Sequence, residues 1–336
     1  MMNLRVLRDM ITIFIIVSVL VGLLAVVIHY EFEINDEGRW TIRPRIVKPE
    51  QVVIDPLEGV EEPDPEDDPD DSWGAWGSPS EQLRIATFNL TKLEKDDLDV
   101  PLRASRIVEQ VVQHHVVAIQ GVHAPTAPDV LEELTRRLNV SGYAYEFALF
   151  DEENIGSPED DLVNAFLFDG DFVELDRTSL QELKIEGEAA AALFGAFRVK
   201  GPEDEAFSFT LANVDFPRGM TLSPDEPDPL ARVFQIARTI YRREDDVLVL
   251  GRFSASFEEE RLDGLNAESL IKHSITTTDG TASCDNILWR TGTVDEYAGK
   301  FGVVPLFDVY PNMLFDEGFA LCGGMPVFAE FDIRED

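Results

Sequence analysis

A chain of 336 residues, 44% hydrophobic and 28% charged, is globular in composition, not disordered, and can hold one large or two small domains. Its net charge of −37 excludes functions that depend on gripping a nucleic-acid backbone, because that grip needs Lys and Arg to displace counterions. The acidity reads as a solvated surface; an acidic face that recruits a basic partner is the alternative.

In chain order, Met10 to Ile28 carries no charge and is apolar except for Thr12 and Ser18, enough to cross roughly 30 Å of hydrocarbon as a helix. Arg5 and Arg8 precede it, and Glu31, Glu33, Asp36 and Glu37 follow it. The expectation is a cytoplasmic N-terminus at residues 1–9, a transmembrane helix at 10–28, and an extracytoplasmic remainder. A cleaved signal peptide is the alternative, but the run ends Ala25-Val26-Val27-Ile28-His29-Tyr30, with no small-x-small site. Residues 29–80 read as an acidic, Pro-rich, disordered stalk. Arg39, Arg43, Arg45 and Lys48 form a short basic patch, and Asp55 to Asp71 is mostly Asp, Glu and Pro, which stiffens and extends a chain. Trp73 and Trp76 are unusual in a linker; they dock back onto the domain or mark a partner site.

The folded domain is expected at 81–336. Leu83 to Asn89 alternates as a sheet strand does, and Ala104, Ile107, Val108, Val111 and Val112 fall at helical spacing. Val116–Ile119 reads as a buried strand, and Val130, Leu131, Leu134 and Leu138 as a second helix. Strands are expected at Asn164–Phe168, Phe207–Val214, Val247–Leu250, Cys284–Trp289 and Met325–Ile333, with a third helical face at Leu230–Tyr241. Alternating strands and helices, with extra hairpin-like strands in the middle, make a mixed α/β domain.

Six blocks in this order resemble the endonuclease/exonuclease/phosphatase superfamily, the fold of pancreatic-type deoxyribonuclease. Leu83 to Asn89 is similar to its opening strand with the metal-site Asn, and Val116 to Val122 to the strand ending Leu-Gln-Glu-Val. Phe209 to Asp215 is similar to the strand carrying the first catalytic His, and Leu248 to Ser256 to the Gly-Asp-Phe-Asn block. Ser283 to Leu288 resembles Ile-Asp-Tyr-Ile, and Leu321 to Val327 the closing Ser-Asp-His-x-Pro-Val. The resemblance implies a four-layer α/β/β/α sandwich of two mixed sheets, with Mg²⁺-dependent phosphodiester chemistry.

The departures from that pattern are systematic. Gly121 stands where the resemblance implies a metal-binding Glu, and Asp215 where it implies a His acting on the phosphate. Arg252 and Ser254 replace the Asp and Asn that contact the phosphate and the attacking water, and Gly323-Gly324 replaces the Asp-His pair that deprotonates water. Only Asn89 and Asp285 keep the expected identity. A cation in place of a metal-site anion inverts the local electrostatics, and the chemistry lacks both its metal and its base. No catalytic residue, metal ligand or cofactor is therefore expected. These eight positions read as a vestigial pocket in which Arg252 neutralises Asp215 and Asp285 without a metal. The expected function is binding or scaffolding by an inactive relative of the superfamily, with an unknown protein partner and no nucleic acid. A divergent metal-dependent phosphodiesterase, phosphatase or nuclease with a rearranged site is the rival reading.

Three further features have bland and sharp readings. His123 is a loop histidine or reaches the pocket rim. The acidic run Asp151–Asp161 invites a calcium reading but lacks the ligand periodicity of an EF-hand loop. Cys284 and Cys322 permit one disulfide, and strand alternation leaves open whether they share a face.

Overall fold

The structure, a computed structural model, describes residues 30–34, 40–44, 82–140, 142–150, 162–184, 191–202, 205–216, 228–240, 246–253, 259–272 and 274–335. The run Met10–Ile28, Trp73, Trp76, Ser254 and Asp151–Asp161 lie outside the described residues, among which no helix is long and apolar enough to cross a membrane. One element corrects the expectation of an unbroken disordered stalk. Strands β1 (Tyr30–Ile34) and β2 (Trp40–Pro44) pair antiparallel, Tyr30 opposite Pro44 and Ile34 opposite Trp40. Both alternate aromatic or β-branched residues with charged or polar ones, the pattern of a strand.

A separate unit, residues 73–336, opens with β3 (Gln82–Leu93), β4 (Val116–His123), β5 (Tyr145–Ala148), β6 (Leu162–Asp169), β7 (Val173–Lys184) and β8 (Ala191–Val199). It ends with β9 (Ser208–Asp215), β10 (Val247–Arg252), β11 (Ala267–Ser269), β12 (Asp285–Arg290), β13 (Tyr297–Val303) and β14 (Val327–Asp332). They build two six-stranded sheets in the orders β13-β14-β3-β4-β6-β5 and β11-β12-β10-β9-β8-β7. Each sheet has one parallel pair at its centre, β3 with β4 and β9 with β10, and is antiparallel elsewhere. A parallel pair needs a crossover, and helices supply it. The first crossover contains α1 (Lys95–Leu98) and α2 (Pro101–Val111), and α3 (Ala127–Val140) follows β4. The second contains α4 (Pro229–Ile240); α5 (Glu259–Leu265), α6 (Leu306–Val309) and α7 (Phe315–Leu321) come later.

Three cores give the four layers. Ile107, Val111, Val130, Leu134 and Leu138 from α2 and α3 pack on Ala86, Phe88, Val117 and Ile119 of the first sheet. Leu230, Val233, Phe234 and Ala237 of α4 pack on Ala212, Val214 and Val249 of the second. Between the sheets lie Leu83, Ile85, Val116, Ala118, Phe209, Leu211, Leu248, Leu250, Ile287, Val327 and Ala329. Side chains alternate along a strand, so each strand contributes one row to this inner layer. Continued by two residues, the rows reach Thr87 and Asn89 on β3, Gln120 on β4, Asn213 and Asp215 on β9, and Arg252 on β10. Apolar rows thus turn polar at one end of the sandwich, and that end holds the candidate site.

Candidate functional site

Strand register assembles the charged part. Arg252 lies opposite Asp215 on the parallel neighbour β9 and opposite Asp285 on the antiparallel neighbour β12. Arg252 Nε donates to Asp215 Oδ1 at 2.5 Å, with the arginine side chain 31% exposed and the aspartate side chain 10%. Burial raises the Asp215 pKa above the usual carboxylate range, opposed by the Arg252 guanidinium. Asp285 is only 1% exposed. Burial pushes its pKa up to about 7, with Arg252 pulling it down, Asp215 pushing it further up and the Thr276 hydroxyl pulling it down. Thr276 Oγ1 donates to Asp285 Oδ2 at 3.3 Å and accepts the Cys284 and Asp285 amides at 2.8 Å, while Asp285 Oδ1 has no hydrogen-bond partner. The expected three-membered cluster is therefore an Arg252–Asp215 ion pair with Asp285 close by in the same field.

The glycines are built into this end. Gly121 has φ +82°, and a β-carbon there would meet the Thr91 carbonyl oxygen at 1.8 Å. Thr91 is itself a non-glycine residue at φ 58°, where the β3–β4 register shifts between Asn89 and Leu93. A bulge in β3 thus aims a carbonyl at the place a side chain on residue 121 would need. A β-carbon on Gly324 would lie 2.2 Å from Asp285 Oδ2, so the carboxylate fills that room. The Gly323 amide donates to the Asn89 carbonyl (3.0 Å), and a loop of threonines covers the pair: Thr277 bridges Gly324, and Thr278 Oγ1 donates to the Cys322 carbonyl (3.0 Å). Asn89 Oδ1 accepts the Thr91 amide at 2.9 Å, and Asn89 Nδ2 has no hydrogen-bond partner.

Below these groups lies a network the sequence reading did not pick out. Gln120 Nε2 donates to Asn213 Oδ1 (2.7 Å) and Thr87 Oγ1 (2.9 Å). Asn213 Nδ2 donates to the Ile119 and Ala165 carbonyls (both 2.9 Å), and Asn164 Nδ2 to the Asn213 carbonyl (3.0 Å). It joins the two sheets through buried, mutually satisfied amides. The signal available in sequence was parity: Thr87, Gln120 and Asn213 sit two residues beyond inward apolar positions.

The remaining candidates fall elsewhere. Half-buried His123 ends β4, its Nδ1 3.2 Å from Thr126 Oγ1 and 4.0 Å from Glu94 Oε1. Cys284 and Cys322 are both buried and are not joined, so the permitted disulfide is not formed; burial pushes the Cys322 thiol up to about 12.

No family model matches the chain, and no curated protein matches it. Solved structures do. The human Nocturnin catalytic domain is similar at 13% identity over 75% of this chain and 95% of that one, with a TM-score of 0.48. An endonuclease/exonuclease/phosphatase family protein from Bacteroides thetaiotaomicron is similar at 11% identity over 76% and 98%, TM-score 0.48. The 2′,3′-cyclic phosphatase ANGEL2 is similar at 11% identity over 74% and 95%, TM-score 0.49. These are proteins of the endonuclease/exonuclease/phosphatase fold, the fold the six sequence blocks resemble.

The divalent metal implied by the sequence resemblance does not fit the residues present. Gly121, Gly323 and Gly324 offer no side-chain ligand, Asp215 is engaged by a cation, Asn89 Oδ1 already accepts the Thr91 amide and has one lone pair left, and Asp285 alone supplies an uncommitted carboxylate oxygen. One buried carboxylate beside a guanidinium lacks the several oxygen ligands that Mg²⁺ or Ca²⁺ requires. Among the described residues, three carboxylates close enough to share an ion occur at Asp246, Glu296 and Glu335. Asp246 immediately precedes β10, at the other end of that strand from Arg252.

Proposed function

We propose that the 81–336 domain is a catalytically inactive relative of the metal-dependent phosphodiesterases, held outside the cytoplasm by a transmembrane helix at 10–28 and serving to bind or scaffold a protein. The Arg252–Asp215 ion pair carries the reading: a guanidinium holds the position where the chemistry would need a free anion and a metal. The clash awaiting a side chain at Gly121 supports it, as does the covered position of Asp285, which keeps a near-neutral carboxyl from meeting a substrate. The net charge of −37 argues against nucleic acid as the partner.

Calorimetric titration of the full chain with Mg²⁺, Mn²⁺ and Ca²⁺, alongside turnover of bis-p-nitrophenyl phosphate, tests the inactive assignment. The expected result is neither saturable cation binding that Asp285→Asn abolishes nor hydrolysis above background. Stoichiometric binding lost in Asp285→Asn, with turnover, would establish the divergent-enzyme reading. Protease added to intact spheroplasts should digest the domain; protection would overturn the orientation, and recovery in the soluble fraction would overturn the anchor.

A further inference from the structure

The helical layer on the first sheet carries a groove of about 290 Å³ between α2 and the turn that follows α6, lined by Leu102, Arg106, Glu109, Val309, Tyr310 and Met313. Its floor is fixed. Arg106 Nη1 bonds Glu317 Oε2 at 3.1 Å, and its guanidinium carbon lies 5.2 Å from the Tyr310 ring centre. The Tyr310 hydroxyl accepts from Gln110 Nε2 and donates to Glu109 Oε2, both at 2.9 Å. Nine large hydrophobic residues are exposed among the described ones. Two of them, Leu102 and Val309, line the groove, and two more, Val100 and Leu314, stand within two residues of its lining in the chain. Such clustering marks contact surfaces, whereas single exposed hydrophobics do not.

Charge identifies the occupant. The nearby cations Arg103 and Arg106 are committed to Asp97 and Glu317, while Glu109 and Asp308 are exposed at the rim. A groove that sets Leu102 and Val309 among polar lining residues, with acids at its rim, is complementary to a basic, amphipathic segment. The chain's own Trp73–Trp76 segment follows the acid-rich run Asp55–Asp71, and a second copy brings another net charge of −37. The second copy is repelled from an acidic rim, and the uncharged Trp73–Trp76 segment gains no attraction from it and trails an acidic run that is repelled. We propose that this groove docks a cationic amphipathic helix or strand of a partner protein, with aliphatic side chains against Leu102 and Val309 and Lys or Arg facing Glu109 and Asp308. The groove shares no residue with the Arg252–Asp215 cleft, so the inference does not depend on what that cleft does.

Fluorescence anisotropy on the full chain tests this with three labelled 14-residue peptides: an amphipathic Leu/Lys helix, the same helix with Glu for Lys, and one with Ser for Leu. The Leu/Lys peptide should bind saturably at one site, and the other two at least tenfold more weakly. Leu102→Glu and Leu314→Ser, both at exposed positions, should each weaken the Leu/Lys peptide tenfold or more, although Leu102→Glu adds an attractive charge. Absent binding, equal binding by the Ser peptide, or unchanged affinity in both variants would overturn the proposal. So would tenfold tighter binding after joint Trp73→Ala and Trp76→Ala substitution, which would assign the groove to the chain's own segment. A dimer in sedimentation velocity that Leu102→Glu dissociates would assign it to a second copy.

Discussion

Asp285→Asn should stabilise the domain at alkaline pH and not at acidic pH. In the folded state the Asp285 pKa is raised from 3.8 to about 7, chiefly by burial. A raised carboxyl pKa means the unfolded chain gives up its proton first. Stability is therefore full below about pH 3.8, declines as pH rises toward 7, and is level above that. The gap of about three pKa units corresponds to about 4 kcal/mol. The amide carries no charge, and its oxygen can keep the Thr276 hydroxyl bond. Its NH₂, placed where Oδ1 now lacks a partner, costs about 1–2 kcal/mol at any pH. The net expectation is a gain of about 2–3 kcal/mol at pH 8 and a small loss at pH 4. The difference between the two pH values, about 4 kcal/mol, is free of the constant cost. Urea unfolding of wild type and variant at pH 4, 5, 6, 7 and 8 reads it directly. A stability difference that stays flat across this range would show that Asp285 is not a buried, reluctantly ionised group.

Three further outcomes follow from the same site and from its opposite end. Gly121→Glu, and Gly121→Ala as its control, should each destabilise by about 3 kcal/mol or more in denaturant melts, because a strained φ and a 1.8 Å approach to the Thr91 carbonyl add up; added Mg²⁺ should not recover the loss for the Glu variant. Arg252→Ala should lose about 2–3 kcal/mol at pH 7.5, below the range for fully buried pairs because the arginine is partly exposed, and the loss should shrink on acidification as Asp215 takes up a proton. His115 stacks on Phe172 with ring centres 3.8 Å apart, and its pKa is lowered to about 4, mainly by burial and then by Arg84. Its depressed pKa gives stability that is full above about pH 6.5 and falls by about 2–3 kcal/mol toward pH 4; urea melts of Asp285→Asn with and without His115→Asn should show the fall shrink in the double variant.

The strands that carry the site were legible because each ends an apolar alternating run at a turn, as Leu83–Asn89 and Val247–Leu250 do. The identities at Gly121, Arg252 and Gly323-Gly324 followed from the same blocks. Their consequences did not. Whether Gly121 merely lacks a ligand or forbids one depends on the bulge at Thr91, which local sequence does not specify because it is a property of β3–β4 register. The cysteines are not bonded for a similar reason: both meet the Thr276–Thr278 segment, Cys284 through its amide and Cys322 through its carbonyl, and adjacency in the fold says nothing of side-chain direction. Strand β7 was missed because it is a polar edge strand, with Glu174, Arg177 and Thr178 exposed and one register shift, so its alternation is diluted. Its neighbour β8, Ala-Ala-Leu-Phe-Gly-Ala-Phe-Arg-Val, is too rich in small residues to announce a strand. The groove residues escaped because exposed Leu102 and Val309 look like ordinary surface residues until the fold brings them together.

The bulge at Thr91 also sets what can be engineered at this end of the sandwich. Thr91, at φ 58°, holds its carbonyl where a β-carbon on Gly121 would lie, so backbone already fills that space and no choice of rotamer opens it. A side chain can be placed at residue 121 only together with a change that resets β3 between Asn89 and Leu93, where its register against β4 shifts. Redesign of this cleft therefore starts from the backbone of β3 and not from the identity of residue 121.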